Sequence, residues 1–377
     1  MNQLPETVLQ VGTGKFLRGF ADFFIHQANE EGQSVGRIVV VQSTGATRAN
    51  LINHQAGRYH VLVRGLANGV TVDTATEICS VSRAFVASEN WPDVLAFARS
   101  SNLRWIISNT AETGYTLDAA DRADSIPPSS FPAKLLVILK ARFEAGLPKV
   151  TVLPCELFEH NADKLRALVL QLGREWNQSA DLLSWLEHEC DWRNTLVDRI
   201  VAATPADHPL AKNDGLLTVA EPFAFWAIQG KHQTEAICRH PAILTTPEVQ
   251  PYFLRKVRIL NAAHTALLTK AMPRGFKIVR DAVNDPEIDA WLQKLLYEEI
   301  IPTLDGRVDS PREFAGQTLE RFRNPFLEHK LSDIAQYHEA KVKIRLETTR
   351  DEFVAKFGRR PPLLDAAVAA SKDLAMS

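Results

Sequence analysis

The segment VLQVGTGKFLRGF, residues 8–20, joins a short apolar strand pattern to a glycine turn and then to a helical pattern. A helix that begins at such a turn points free N–H groups and its dipole toward the turn, which suits a pyrophosphate. The match to the usual G-x-G-x-x-G/A fingerprint is partial because Leu17 occupies the third glycine position. We predict a dinucleotide site here that includes Gly12, Gly14, Phe16 and Leu17.

Strand and helix patterns alternate from this segment to about residue 245, as in the strand pattern KVTVLPCEL and the helical pattern FPAKLLVILKARFEAG. Such alternation predicts an α/β fold with a doubly wound, mainly parallel sheet of the Rossmann type. Beyond it, DPEIDAWLQKLLYEEIIPTL is strongly helical, with Asp285 placed to cap it and Pro286 suited to its first turn. We therefore predict a Rossmann-type N-terminal domain over 1–245 and a mostly α-helical C-terminal domain over 246–377.

The second predicted strand lies within GRIVVVQS, residues 36–43, and ends without a carboxylate. Dinucleotide-binding folds usually carry an acid at this point, where it holds the ribose 2′-hydroxyl. Gln42 stands at the strand end, and its amide could hydrogen-bond the ribose instead. Arg48 follows and could favour a 2′-phosphate, so the residues leave the choice between NAD and NADP open.

The size and charge of the chain bound its class. Its 377 residues exceed one comfortable core, which predicts two domains. The net charge of −2 provides no basic field for a nucleic-acid backbone, and no polybasic stretch suggests an anionic membrane surface. No apolar run reaches the length of a membrane span. We expect neither nucleic acid nor a membrane as a partner.

The four cysteines, Cys79, Cys155, Cys190 and Cys238, lie far apart and form no C-x-x-C pair. This spacing argues against a zinc cluster and against a disulfide scaffold. The first residues show no secretory signal pattern. We expect reduced thiols in a cytoplasmic protein and no catalytic metal.

The segment KVRILNAAH, residues 256–264, places polar side chains on an otherwise apolar helix. At about 100° per residue, Asn261 lies about 140° and His264 about 80° from Lys256, so the three share one broad arc. Such a face could donate a hydrogen bond to a carbonyl oxygen and exchange a proton with it. The residues alone equally allow a half-exposed helix whose lysine stem lies on apolar surface.

Several segments stand in one order along nearly the whole chain: GTGKFLRGFADFF (12–24), IISNTAETGY (106–115), SFPAKLL (130–136), LPCELFEHNADKL (153–165), NTLVDRIV (194–201), EPFAFWAI (221–228), KVRILNAAHTAL (256–267) and ERFRNPFLEHKL (320–331). Together they resemble the mannitol dehydrogenase family, and within it the branch that reduces tagaturonate. The resemblance implies metal-independent hydride transfer between a nicotinamide and a secondary alcohol or ketone, in a cleft between the two domains. NAD is the expected cofactor, and NADP is not excluded.

The resemblance also implies roles for individual residues. Lys256 matches the general acid/base, Asn261 an oxyanion-hole donor and His264 a residue that orients the substrate. Asp198 matches a polar residue of the substrate site; its alternative is an ordinary surface or capping aspartate. On the cofactor side, the family pattern adds the segment Ser108, Asn109 and Thr110 to the glycine turn and Gln42.

A uronate substrate would also need a cation for its carboxylate. Arg258 is one candidate, and Arg345 is another, with Lys343 beside it; each could instead be solvated surface charge. In one departure from the family, Glu156-Leu157 replaces an Asp-Asn pair whose asparagine supplies a second oxyanion donor. That donor would then come from Asn109, from Asn161 or from a water.

These expectations converge on an NAD(P)-dependent oxidoreductase that interconverts tagaturonate and altronate. Within the same class, the alternatives are a mannitol-type polyol, fructuronate or a sugar phosphate as substrate. A nicotinamide-binding protein without turnover is the alternative from another class. We expect a small sugar acid or polyol as the ligand and a monomer or small homo-oligomer.

Overall fold

The computed structural model describes residues 3–110, 112–202 and 204–374. The chain divides into two compact units. The first comprises Met1–Val63, Thr74–Ala220 and Ala224–Val249, and the second comprises Arg64–Asp73, Glu221–Phe223 and Gln250–Ser377. Both units therefore combine segments that are distant in sequence. The domain division near residue 245 remains a proposal.

The described residues form the following strands: β1 (Glu6–Val11), β2 (Arg37–Gln42), β3 (Tyr59–Ala67), β4 (Val70–Ile78), β5 (Val81–Val86), β6 (Trp105–Ser108), β7 (Thr151–Pro154), β8 (Asp191–Trp192), β9 (Thr195–Asp198), β10 (Val201–Ala202), β11 (Thr218–Ala220), β12 (Phe225–Gln229) and β13 (Ile243–Thr246). They build three sheets in the orders β5-β2-β1-β6-β7-β8, β10-β11-β3-β4 and β13-β12-β9.

The α-helices are α1 (Lys15–Arg18), α2 (Ala21–Glu30), α3 (Thr47–His54), α4 (Ala87–Ala98), α5 (Phe131–Glu144), α6 (Asn161–Glu175), α7 (Ala180–Ser184), α8 (Gln250–Arg255), α9 (Ala262–Ala271), α10 (Val279–Val283), α11 (Pro286–Lys294), α12 (Pro311–Phe322), α13 (Leu331–Ala335), α14 (His338–Val342), α15 (Thr348–Phe357) and α16 (Pro362–Leu374). π-helical segments span Trp185–Glu189, Lys256–Asn261, Leu295–Ile300 and Lys343–Glu347. Short 3-10 segments span Glu112–Tyr115, Pro209–Lys212, Gln233–Glu235 and Ile301–Leu304. The predicted C-terminal domain extends to residue 377, and residues 375–377 lie outside the described residues.

The six-stranded sheet of the first unit is parallel throughout. Successive residues of its central strands alternate between two apolar cores: Val8 of β1 packs in one and Leu9 in the other. Helices α2 and α3 contribute to the first core and α4, α5 and α6 to the second. The sheet is thus covered by helices on both faces, which confirms the predicted doubly wound Rossmann-type fold.

The second unit is mainly helical. Asp285 caps α11 as predicted, because its carboxylate accepts hydrogen bonds from the N–H groups of Glu287 and Ile288, both at 3.0 Å. The predicted helical domain is interrupted between α12, which ends at Phe322, and α13, which begins at Leu331. Asn324 precedes Pro325, and the proline ring disfavours a helical conformation at that position.

Segments from early in the sequence complete the second unit. The buried carboxylate of Glu221 accepts hydrogen bonds from Nε and Nη2 of Arg321, the shortest at 2.7 Å. The side chain of Asn324 donates to the carbonyl of Arg64 at 3.0 Å, and the N–H of Gly69 donates to the Glu320 carboxylate at 2.6 Å. Among the residues described in both units, no helix is long and apolar enough to cross a membrane.

Candidate active site

The glycine turn after β1 has a conformation that requires glycine at its first position. Gly12 adopts φ +129°, and a Cβ atom added there would lie 2.8 Å from the carbonyl oxygen of Asn109. A Cβ at Gly14 would meet no atom within 4 Å, so this side of the turn is open. The guanidinium of Arg18 donates to the carbonyl of Thr13 at 2.6 Å and thereby holds the turn from beneath.

A cavity of about 420 Å³ lies at the carboxyl ends of β1, β2 and β6. Its lining residues are Val11, Gly12, Thr13, Gly14, Gln42, Ser43, Thr44, Arg48, Asn109, Thr110, Gly114, Thr116, Ser129, Ser130, Phe131 and Lys134. Its volume falls in the range of small-molecule sites. The described lining residues provide hydroxyl groups and two cations, Arg48 and Lys134, and include no carboxylate. This chemistry fits the phosphates of a dinucleotide.

The structure divides the cofactor residues predicted near this cavity into two groups. Gly12, Gly14, Gln42, Asn109 and Thr110 line it together. The other three do not: Leu17 is buried in the apolar core, Phe16 stacks on Phe20 with ring centroids 4.8 Å apart, and Ser108 lies beneath the strand ends. Leu17 and Phe16 do not line the cavity because they lie on the apolar face of α1, which packs against the core. Sequence reasoning assigned no role to Ser129, Ser130 or Lys134, although Ser130 and Lys134 lie within the ordered segment SFPAKLL and Ser129 directly precedes it.

Gln42 uses both ends of its side-chain amide within its own loop. Its Nε2 donates to the carbonyl of Thr44 at 2.7 Å, and its Oε1 accepts from the N–H of Ala49 at 2.7 Å. The acceptor satisfies one of the free N–H groups in the first turn of α3. The amide therefore shapes the loop after β2.

Glu156 is a buried carboxyl beneath the ends of β6 and β7, and sequence reasoning gave it no role. It accepts hydrogen bonds from the Ser108 hydroxyl at 3.0 Å, from the N–H of Thr110 at 2.9 Å and its hydroxyl at 3.0 Å, and from the Tyr115 hydroxyl at 3.3 Å. Burial raises its pKa, although these hydrogen bonds act in the opposite direction. The network fixes the segment from Ser108 to Thr110 at the edge of the cavity.

The two asparagines considered as second oxyanion donors both donate hydrogen bonds within the protein. Asn109 donates its side-chain N–H to the carbonyl of Cys155 at 2.7 Å. Asn161 is buried and donates to the carbonyls of Pro154 at 2.9 Å and Glu156 at 3.1 Å. Leu157, which replaces the family's asparagine, is 68% exposed and offers no side-chain donor.

The segment with Lys256 lies in the second unit, and its helix is not regular. Residues Lys256–Asn261 form a π-helical turn between α8 and α9. A π turn bonds residues five apart, so Lys256 and Asn261 lie closer in angle than the 140° predicted for an α-helix. Both side chains are partly exposed. π turns within α-helices frequently mark functional sites.

His264 lies one turn further along, on α9, and is held as a neutral imidazole. It stacks on Phe322 with ring centroids 4.1 Å apart and meets His329 edge to face at 4.9 Å. Burial lowers its pKa well below the ordinary value, and His329 and Arg321 lower it further. Its Nε2 is buried and has no hydrogen-bond partner among the described residues. This nitrogen therefore keeps its hydrogen-bonding capacity among the described residues.

The three cations proposed for a carboxylate differ in their surroundings. The Arg258 guanidinium is buried and donates to Glu352 at 2.8 Å and to Thr349 at 2.7 Å. Lys343 is exposed and lines a surface groove beside α16. Arg258 thus has a carboxylate partner already, and Lys343 is open to solvent.

Arg345 is half-buried beside the helix of Asn261. Its Nη1 donates to the Thr265 hydroxyl at 3.1 Å and to the carbonyl of Asn261 at 3.5 Å. Burial lowers its pKa to about 10. It makes no ion pair with any described residue, so it is a partly desolvated cation beside Asn261.

Asp198 ends β9 in the first unit and is buried, with its backbone opposite Phe225 in β12. Within the described ranges, no group of three or more histidine, cysteine, aspartate or glutamate side chains is arranged to hold a metal ion.

Family models match nearly the whole chain. The mannitol dehydrogenase Rossmann domain matches residues 6–238, and the mannitol dehydrogenase C-terminal domain matches residues 248–370. Altronate oxidoreductases of Halalkalibacterium halodurans, Bacillus subtilis and Escherichia coli are 36%, 35% and 37% identical to the chain. These alignments cover 98%, 96% and 91% of the chain and 75%, 78% and 74% of the respective relatives.

Two solved structures share the fold. D-Sorbitol dehydrogenase in substrate-free form gives a TM-score of 0.86 at 22% identity, over 99% of this chain and 81% of that one. The ternary complex of Pseudomonas fluorescens mannitol 2-dehydrogenase with NAD and D-mannitol gives 0.79 at 21% identity, over 99% and 80%.

Proposed function

The chain belongs to the mannitol dehydrogenase family, and from this premise we propose that it reduces a keto-hexuronate reversibly to the hexonate, with tagaturonate and altronate as the pair. Membership makes it a dehydrogenase that acts on a CH–OH group of a polyol or hexuronate. The altronate oxidoreductases among its relatives favour the hexuronate. The observation that carries this choice is Arg345, a half-buried cation without an ion-pair partner among the described residues.

NAD is the proposed cofactor, and the cavity after β1 is its proposed site. The open side of the turn at Gly14 leaves room for close approach of a pyrophosphate, and Arg48 and Lys134 supply positive charge. When bound, the cofactor would supply the hydride for the keto carbon or accept it from the alcohol. Glu156 supports this site indirectly, since it fixes Thr110 at the cavity edge.

Lys256 is the proposed general acid/base. During reduction, negative charge grows on the substrate oxygen, and the Asn261 side chain would stabilise it by donating a hydrogen bond. Lys256 would then deliver a proton to that oxygen, and in the reverse direction it would remove the proton from the alcohol. The π turn supports this pairing because it brings the two residues closer in angle.

His264 and Arg345 are proposed to hold the rest of the substrate. A neutral imidazole with a free nitrogen accepts or donates one hydrogen bond, which suits a sugar hydroxyl. The guanidinium of Arg345 would pair with the uronate carboxylate through two parallel hydrogen bonds. Arg258 and Lys343 are weaker candidates for this contact, because one is paired to Glu352 and the other is exposed.

The test is a substrate screen with purified protein. Tagaturonate, fructuronate, fructose and a ketose phosphate are offered with NADH, and loss of the reduced-nicotinamide absorbance is followed. We expect the highest kcat/KM with tagaturonate. The proposal would be contradicted if the protein binds NADH but turns over neither tagaturonate nor fructuronate.

A second test addresses Lys256. Lys256→Ala should lower kcat by about two to four orders of magnitude, the usual contribution of general acid–base catalysis. NADH affinity should change little. The matched control is Lys270→Ala, an exposed lysine later on the same helical segment, which should retain activity. Equal turnover of Lys256→Ala and wild type would refute the assigned role.

A further inference from the structure

The loop after β2 is free of acidic residues. No aspartate or glutamate stands between Glu31 and Asp73, and among the described residues no carboxylate lines the cavity at the end of β2. In dinucleotide-binding folds an acid at this strand end bonds the ribose 2′-hydroxyl, and its charge repels a 2′-phosphate. Neither the bond nor the repulsion is available here from an acid.

Gln42 cannot supply the charge of the missing acid. Its amide is held by the carbonyl of Thr44 and the N–H of Ala49. One N–H and one acceptor lone pair of the amide remain, so it can still bond a ribose hydroxyl. The neutral amide does not repel a 2′-phosphate as a carboxylate would.

Two other groups of the same loop are available. The hydroxyl of Ser43 is buried and has no hydrogen-bond partner among the described residues. Arg48 is exposed and has neither an ion pair nor a side-chain hydrogen bond within the described part of the chain. Both line the cavity. A guanidinium and a hydroxyl are the groups that bind phosphate in proteins, the guanidinium through two parallel hydrogen bonds.

We propose that this cavity accepts a 2′-phosphorylated dinucleotide, NADPH or NADP⁺, in addition to NADH, and that Arg48 and Ser43 bind the 2′-phosphate. The proposal rests on the dinucleotide site of the proposed function. Arg48 is then the residue that determines cofactor range.

The test compares the binding of NADH and NADPH to the full-length protein by nucleotide fluorescence and by titration calorimetry. For the wild type we expect the two dissociation constants to lie within about tenfold of each other. Arg48→Gln removes the guanidinium charge, and its loss of NADPH affinity should exceed its loss of NADH affinity by about 10- to 100-fold. Arg99→Gln makes the same charge change at an exposed residue outside the cavity, and it should leave the ratio unaltered.

A second variant adds a negative charge to the proposed 2′-phosphate site, whereas Arg48→Gln removes a positive one. Ser43→Asp introduces a carboxylate at the strand end, so NADPH should bind at least about tenfold more weakly while NADH remains bound. The proposal is overturned if wild type binds NADH but binds NADPH more than about a thousandfold more weakly, or if Arg48→Gln leaves the ratio unchanged. In those cases the proposed function stands, because NADH still binds and supports turnover. If neither nucleotide binds, both proposals fail.

Discussion

Replacing Arg345 with methionine should separate substrate recognition from protein stability. Burial lowers the pKa of Arg345 from 12.5 to about 10. At 1.36 kcal/mol per pKa unit, the charged side chain destabilises the folded protein by roughly 3 kcal/mol. Methionine retains much of the packing and loses two hydrogen bonds, which together contribute about 1–2 kcal/mol. The free energy of unfolding should therefore stay constant or rise by about 1 kcal/mol.

The same change should impair the uronate reaction. Truncating one member of a hydrogen-bonded charge pair costs about 2–5 kcal/mol, so kcat/KM for tagaturonate should fall by between about 30-fold and several thousandfold. Fructose has no carboxylate for the guanidinium to bind. Its kcat/KM should change by less than about threefold, which would reverse or remove the preference for the uronate.

The assay combines initial rates on both substrates at saturating NADH with urea unfolding. Arg258→Met is the matched control, since Arg258 is buried and paired with Glu352. We expect it to lower the free energy of unfolding by about 1–3 kcal/mol, because Glu352 retains only its second partner, Arg307. Equal losses on tagaturonate and fructose for Arg345→Met would show that Arg345 supports the helix of Asn261 and does not bind the carboxylate.

Three further changes test the structure itself. Gly12→Ala should weaken NADH binding by more than about tenfold and lower the melting temperature. The reason is that Gly12 adopts φ +129° and that the new Cβ would lie 2.8 Å from a backbone oxygen. Gly14→Ala is the control and should melt like wild type, because a Cβ at Gly14 meets no atom within 4 Å. Burial raises the pKa of Asp22 to about 7 from 3.8, so the folded protein binds this proton more tightly than the unfolded chain. The protonated Asp22 therefore contributes to the free energy of unfolding fully below about pH 4, and this contribution is lost as the pH rises to about 7. Urea unfolding at several pH values should show that Asp22→Asn removes this loss. If the variant and the wild type have the same pH dependence of the free energy of unfolding, the raised pKa is contradicted. Glu221→Gln should lower the free energy of unfolding by about 3–5 kcal/mol because it leaves the Arg321 guanidinium buried without its carboxylate, and a loss below about 1 kcal/mol in the same assay would show that other groups compensate.

The sequence predicts the parallel sheet well because its strands are buried on both faces. Continuous β-branched runs such as that of β2 occur where every side chain meets apolar surroundings, and the run is visible without knowledge of its neighbours. The same run does not show which strands pair with each other. β3 and β4 are recognisable strands, yet they belong to a second sheet with β10 and β11. β5, which is the edge strand of the parallel sheet, shows no comparable run, and no strand was predicted there.

The sequence predicts which residue types form the candidate site, but it does not predict how their side chains are arranged. Apolar periodicity assumes one helical repeat, so it cannot reveal the π turn that brings Lys256 and Asn261 closer in angle. Arg258 and Arg345 are equivalent as isolated charges in a sequence. Only the fold shows that Glu352 lies beside the first and that the second has no ion-pair partner among the described residues.

The segments Arg64–Asp73 and Glu221–Phe223 limit how this protein can be recombined. A gene fragment that begins at residue 250 would encode Arg321 without Glu221 and Asn324 without the carbonyl of Arg64. Such a fragment would lack the carboxylate that pairs with the buried Arg321 and the carbonyl that accepts from Asn324. The second unit is therefore not encoded by one contiguous gene fragment. Exchange of the whole second unit between relatives would transfer three segments and therefore require five crossovers or whole-gene replacement.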